Sequence, residues 1–444
     1  MLTIFLPILY NISVNTFLGR ALMQNFNQFI SHLSKLISFE SILDEPKPNA
    51  PFGTNIRNCL DWFLGLAKDF GFETIDYDGY AGEIVYGKGE EVGIIGHLDV
   101  VPIGIGWDSD PFTLTCRDNV YYGRGVCDDK SPLLSCLYAL KELKDSGINV
   151  NKKIRLIVGC DEENGWRDIE YLTKKTTLPE YGFSPDGDFP ISYAEKGITE
   201  VAFNIPKFKN FADIKGGTAL NAVCDYVSVR PLINTQQSEL DMFGLSLDDN
   251  GYIVSKGKSA HGSSPQLGIN AMLKLFEYLL FKGEDVKDVL DYLFYDKKGI
   301  FSLKNEQGVV TISPDLIIED EKGIIITCDC RIPAPLSLED VKPIFDSFGI
   351  SYSTKVRHEP MMSEKNGKFV QTLLSAYNEI TGENAQPISM GGSTFARAFK
   401  KGSAFGPKLK GHIDNIHDAN ENVSTEQILT AYNIYKKAIF DLVK

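Results

Sequence analysis

Apolar runs that stop abruptly on a histidine or an acid, spaced between amphipathic helices, constrain this chain more than any other feature. RNCLDWFLGLAKDFGF reads as a helix closed by Gly71, and EVGIIG as a strand. SPLLSCLYALKELKDSG reads as a helix with Pro132 in its first turn and Gly147 at its end, and KKIRLIVGC as another strand. That alternation over residues 54–160 predicts an α/β fold, a mostly parallel sheet flanked by helices, with ligand sites beyond the carboxyl ends of the strands. In EVGIIGHLDVVP (91–102) the run through Val92, Ile94 and Ile95 ends on His97 and Asp99. Two residues apart on extended chain means one face, so an imidazole and a carboxylate point the same way where a ligand would sit. DEEN after RLIVGC repeats the pattern.

From about residue 196 the texture changes. Strand-like YIVSKGKSAHG precedes the helix NAMLKLFEYLLFKG, and GIIITCDCRIP precedes SLEDVKPIFDSFG, which together predict a second, α+β unit ending near 359. A helix GKFVQTLLSAYNEITG, a Gly-rich turn MGGSTFARAF, a loop with His412 and His417, and a last helix complete the chain. Ser424 and Gln427 form a capping box for that last helix. The expected organisation is a first catalytic segment over 23–195, an inserted domain over 196–359 and a second catalytic segment over 360–444. At 444 residues the chain has room for two or three domains, and 43% hydrophobic residues suffice for their cores.

A net charge of −14 excludes the basic footprint of a general nucleic-acid binder. The eight cysteines contain no CxxC pair and read as reduced, mostly buried thiols of a cytoplasmic protein. Cys328 and Cys330, flanking Asp329, read as packing in preference to a zinc pair. The N-terminal MLTIFLPILY is too short to span a bilayer and lacks a basic leader. Met23, which opens an amphipathic helix, reads as the natural start, with 1–22 an apolar extension from a misplaced start. A weak membrane anchor is the alternative for that extension.

Five clusters carry the candidate chemistry: GHLDVV (His97, Asp99), GRGVCDDK (Asp128, Asp129), CDEENGW (Asp161, Glu162, Glu163), SPDGDFP (Asp186, Asp188) and HIDNIHDANE (His412, Asp414, His417). Imidazole with carboxylate is a donor set that zinc accepts and manganese or cobalt tolerates. A carboxylate two residues from a ligand histidine can hold its second ring nitrogen, which is the role this spacing gives Asp99. Taken singly, each cluster is ordinary: a strand-end histidine is usually just a satisfied polar group, and paired acids are usually solvated loop charges. Five in α/β register favour a metal site.

These motifs, with GKSAHGSSPQLGINA and GGSTFAR, stand in one order from about 91 to 421. In that order the chain resembles the dinuclear zinc metallopeptidases that include aminoacylases, glutamate carboxypeptidases and succinyl-diaminopimelate desuccinylases, and within them the PepV-type dipeptidases. The resemblance implies a zinc-peptidase catalytic domain with a mixed, mostly parallel sheet and an inserted α+β lid. It implies two divalent ions, zinc with manganese or cobalt as alternatives. His97 and Asp186 would hold one, Glu163 and His417 the other, and Asp128 would bridge them. Glu162 matches the general base acting on the water the ions share, and Asp99 the acid behind the first histidine.

In the inserted domain His261 matches the donor to the tetrahedral oxyanion, joined by Asn221, and Arg331 a residue that grips the substrate carboxylate. Gly392, Ser393 and Thr394 would add backbone N–H donors. Cys224 stands where the family often has proline, so that loop is a place to expect a difference. His412 is expected near the site or exposed, and Asp129 is a weaker candidate for holding a substrate amine. The implied activity is hydrolysis of dipeptides by a monomer whose large inserted domain suits a short peptide with both ends free, with no nucleic-acid or membrane partner. An N-acyl-amino-acid deacylase using the same machinery is the alternative, and a non-enzymatic metal-binding scaffold is disfavoured because every ligand position and Glu162 are present.

Overall fold

The computed structural model of the chain describes residues 26–412 and 415–443. The extension 1–22, the start at Met23 and Asp414 lie outside the described residues. The chain forms two compact units, one of residues up to Ser192 with Glu364–Pro387 and Thr394 onward, the other of Tyr193–Ser363 with Ile388–Ser393.

The first unit is built on a mixed sheet with strand order Glu73–Tyr77, Ala81–Gly87, Lys152–Gly159, Glu90–His97, Tyr181–Ser184, Lys401–Ala404. Its four inner strands from Lys152–Gly159 to Lys401–Ala404 run parallel, and the outer pairings are antiparallel. Burial explains the composition: the last six residues of Glu90–His97 and of Lys152–Gly159 are buried, as inner parallel strands covered by helices must be. Gly93 and Gly182 lie under the Phe399 ring, where a Cβ would come within 2.2 and 2.3 Å of it. Helix Lys130–Asp145 has Pro132 in its first turn and Gly147, at φ +67°, just past its end. Helix Thr425–Leu442 packs on Lys130–Asp145 and on Lys368–Thr381.

The expected capping box is formed: Gln427 N–H donates to Ser424 Oγ (3.1 Å) and Ser424 N–H to Gln427 Oε1 (2.8 Å). Replacing Ser424 by alanine is expected to cost about 1 kcal/mol, read as a lowered thermal midpoint of the first unit.

The second unit is an eight-stranded antiparallel sheet, in the order Ser246–Leu247, Ile253–Lys256, Tyr226–Pro231, Phe211–Gly216, Thr311–Glu319, Ile324–Ile332, Gly197–Ile205, Ser351–His358. Helices Ala271–Phe281 and Leu338–Asp346 share its apolar core, through Leu275, Phe276, Val341 and Phe345 against Val227, Val229, Ile326 and Cys328. Ile388–Ser393 belongs to this unit, inside the span read from sequence as catalytic. Lys196 N–H donates to Met390 O (3.1 Å) and Ser389 Oγ to Gln307 O (2.9 Å), which draws that short stretch out of its neighbours' unit.

All eight cysteines are free thiols, and only Cys116 is exposed. Among the described residues no helix is long and apolar enough to cross a membrane.

Candidate active site

The parallel register places His97 opposite Gly159, so two inner strands end level, and Tyr181–Ser184 runs beside them in the same direction. The loops that leave this edge carry Asp99, Glu162, Glu163 and Asp186, while Asp128 stands two residues before helix Lys130–Asp145. His417 arrives from the loop before the last helix, in the left-handed region at φ +65°.

Asp128 is the centre of the cluster. Its Oδ1 is 2.9 Å from His97 Nε2 and its Oδ2 is 3.1 Å from His417 Nε2. Glu163 Oε2 is also 3.1 Å from His417 Nε2, and Asp186 Oδ2 is 3.9 Å from His97 Nε2. Two groups bring their donor atoms within 4.8 Å of one another: His97 with Asp128 and Glu163, and His97 with Glu162 and Asp186. Both members of the Glu162–Glu163 pair therefore reach the cluster.

Asp99 has more partners than the spacing argument gives it. His97 Nδ1 lies closer to the Asp99 main-chain oxygen (2.9 Å) than to its carboxylate (3.5 Å). The carboxylate also accepts the N–H groups of Glu162 (3.2 Å) and Glu163 (3.1 Å). Asp99 thus faces the histidine ring with both its main-chain oxygen and its carboxylate, and holds the acid loop through the same side chain. Asp168, unnoticed in the sequence, grips the same loop from the other side through the N–H groups of Cys160 (2.7 Å) and Asp161 (3.0 Å). The neighbouring acids of GRGVCDDK separate in role: Asp129 is fully buried and accepts His97 N–H at 3.2 Å. Its Oδ2 occupies the space that a Cβ on Gly96 would need, so that oxygen faces the sheet.

The electrostatics follow from crowding. Burial, then the repulsion of Asp128, pushes the Asp186 carboxyl up to about 8. Burial and the charges of Asp186, Glu163 and Asp128 hold Glu162 well above the usual carboxyl range. Burial opposes protonation of His417, yet its bonds to Asp128 and Glu163 win and raise it to about 11. The same contest raises His97 through Asp128 and Asp99. Four carboxylates packed on two imidazoles carry far more negative charge than the protein alone balances, and their oxygen and nitrogen donors suit divalent zinc, manganese or cobalt. The residues fit a metal centre.

A second group of predicted residues converges inside the other unit. Asn221, at φ +86°, donates its N–H to Asp315 Oδ2 (2.9 Å) and accepts Gly262 N–H (2.6 Å), beside His261. His261 Nδ1 lies 2.7 Å from Ser263 Oγ and 3.2 Å from the Ser263 main-chain nitrogen, which fixes that side of the ring. Arg331 is buried: Nε meets both Asp329 oxygens at 2.9 Å, Nη2 is 2.7 Å from Asp329, and Nη1 donates to Gly391 O (3.0 Å). Gly392 and Ser393 follow on the same turn, whereas Thr394 belongs to the first unit, where its Oγ1 accepts Ala396 N–H (3.2 Å). Cys224, in place of the expected proline, donates its thiol to Tyr226 O (3.2 Å). His412 meets Gln427 Nε2 through Nδ1 and lies 3.8 Å from Cys127 Sγ, beside the cluster.

Carboxylates and imidazoles clustered at the carboxyl ends of the parallel strands of a mixed sheet, with an inserted antiparallel unit, define a metallohydrolase architecture, and comparison with known proteins names its class. The chain belongs to peptidase family M20/M25/M40, whose pattern it matches over residues 93–441. A Staphylococcus epidermidis protein named "Putative dipeptidase" is 34% identical, over 94% of this chain and 97% of its own. A Staphylococcus haemolyticus protein of the same description is 32% identical with the same coverage. Among solved structures, human carnosine dipeptidase 1 aligns with a TM-score of 0.58 at 14% identity, covering 96% of this chain and 99% of that one. Aminopeptidase PepT of Bacillus cereus aligns with a TM-score of 0.58 at 15% identity, covering 94% and 99%. At such identities these two speak to the fold.

Proposed function

We propose that the chain is a metal-dependent dipeptidase working with two divalent ions, zinc in the first place. His97 and Asp186 would hold one ion, Glu163 and His417 the other, and Asp128 would serve both. The observation that carries this reading is Asp128, with one carboxylate oxygen 2.9 Å from His97 and the other 3.1 Å from His417. The dipeptidase names of the staphylococcal relatives support the substrate class.

When bound, the ions lower the pKa of a water and polarise the scissile carbonyl. Glu162 is the base that would take a proton from the attacking water and return it to the leaving amine. His261 and Asn221 donate to the oxyanion that develops on the carbonyl oxygen, with backbone N–H groups of Gly392, Ser393 and Thr394 as further donors. Arg331 offers the substrate carboxylate the hydrogens that Asp329 and Gly391 leave on its terminal nitrogens. The inserted unit acts as a lid, the enzyme as a monomer, and the free thiols suit the cytoplasm.

His261→Ala is expected to lower kcat by about 10²–10³-fold at unchanged metal content, the effect of losing one preorganised oxyanion donor. The substrate class is tested with zinc-loaded protein on a free dipeptide, its N-acetyl form, the N-acetyl amino acid and a tripeptide. Metal-dependent cleavage of the free dipeptide alone is the expected result. Preference for the N-acetyl amino acid would make the enzyme a deacylase.

A further inference from the structure

The two halves of the metal cluster are held in different ways. His97 ends a strand bonded to parallel neighbours on both sides, and Asp186 follows two residues after another strand. His417 lies on no strand or helix: among the described residues of 409–421 there is neither. Asn420 ties its loop to Asp108 N–H (2.9 Å) and Gly106 O (3.3 Å), and a buried ion pair reaches His417 itself. Arg124 and Glu421 are each 1% exposed and meet at 3.0 Å (Nη1 to Oε2). The second terminal nitrogen of Arg124 donates to the His417 main-chain oxygen (3.2 Å). The Glu421 carboxylate accepts the N–H groups of Gly125 (3.0 Å), Cys127 (2.8 Å) and Asp128 (3.2 Å), the turn that presents Asp128. Neither residue bonds to His97 or Asp186.

We infer that the Arg124–Glu421 pair is a positioning device for the Glu163–His417 half of the centre, so that its loss releases that ion first. The inference rests on the two-ion reading above. Glu421 is charge-matched by Arg124 and fills its acceptor sites with backbone donors, so exchanging it for a neutral amide loosens the Asp128 turn and the His417 loop together. Supporting partners of metal ligands typically contribute about 10–100-fold in affinity.

The test titrates the full, metal-stripped chain with Co²⁺, following its d–d absorption and the number of equivalents bound. Glu421→Gln is compared with Glu83→Gln, a control that weakens the equally buried pair with Arg155, which lies away from the cluster. The parent is expected to show two binding steps, and Glu83→Gln to keep both with an unchanged spectrum. Glu421→Gln is expected to weaken one step about 10–100-fold with an altered spectrum, and to weaken the other, which shares Asp128 but keeps His97 and Asp186, by less. Should Glu421→Gln fail to fold, Arg124→Lys replaces it: a single nitrogen takes the place of the two that meet Glu421 and the His417 oxygen separately, so the same step is expected to weaken. Two unaltered steps in Glu421→Gln or Arg124→Lys, or equal weakening of both, would overturn the inference alone. A parent that binds fewer than two Co²⁺ would overturn the two-ion reading and this inference with it.

Discussion

Glu162→Gln hydrolyses a free dipeptide about 10²–10⁴-fold more slowly than the parent, with its metal content intact, because glutamine keeps the shape but cannot take a proton. The site is arranged to make that loss specific. Asp99 holds the Glu162 N–H at 3.2 Å, so the backbone stays put when the side chain changes. The side chain itself sits where burial and neighbouring acids keep its proton, and cations beside it shift that balance toward the ionised base. Steady-state kcat with metal analysis on the same samples checks the prediction. An unaffected rate would remove Glu162 from catalysis. Loss of metal along with the rate would make Glu162 a ligand, which its donor contact with His97 and Asp186 also permits.

Stripping the metal abolishes hydrolysis and makes stability depend on pH in a defined direction. In the metal-free fold Asp186 titrates near 8 against an ordinary 3.8. A carboxyl raised on folding contributes stability below about 4 that is lost as pH climbs toward 8, since the unfolded chain ionises first. His417, raised from 6.5 to about 11, adds to the same trend: its contribution is complete below 6.5 and declines as pH rises through 11. Asp128 is held low by His417 and His97 and works the opposite way, but only at pH below its ordinary 3.8. Stripped protein therefore melts lower at pH 8 than at pH 6. Metal affinity rises over that interval because the donors must lose protons, so the gap between loaded and stripped protein widens. At a free metal concentration near 100 times Kd, the loaded form gains about 2.7 kcal/mol. Thermal scans of both forms at pH 6, 7 and 8 measure this. A stripped protein more stable at pH 8 than at pH 6 would contradict the electrostatic account.

What the sequence displayed and what it hid have physical causes. His97 was legible because a period-two strand fixes which way its last side chain points, and because an apolar run that ends in polar groups is a local signal. The parallel sheet followed from the helix–strand alternation for the same reason. Asp128 and Asp129 looked alike in sequence, and only the packing of Asp129 against Gly96 separates the acid that meets the imidazoles from the one that supports the strand. Arg124 and Glu421 lie 297 residues apart, so their pairing leaves no local trace, although Glu421 closes the motif DNIHDANE. The Asp99 carboxylate turned out to serve backbone N–H groups more than 60 residues away, a partner that spacing from His97 cannot reveal. Ile388–Ser393 shows the same limit for domain boundaries, since six residues changing units alter neither composition nor periodicity.

The most direct test of the two-ion account is a Zn²⁺ titration of metal-stripped protein that records bound zinc and free-dipeptide hydrolysis together. Two equivalents bound, with full activity reached only on filling the second, is the predicted result. Full activity at one equivalent, or hydrolysis that persists without metal, would contradict the centre built around Asp128.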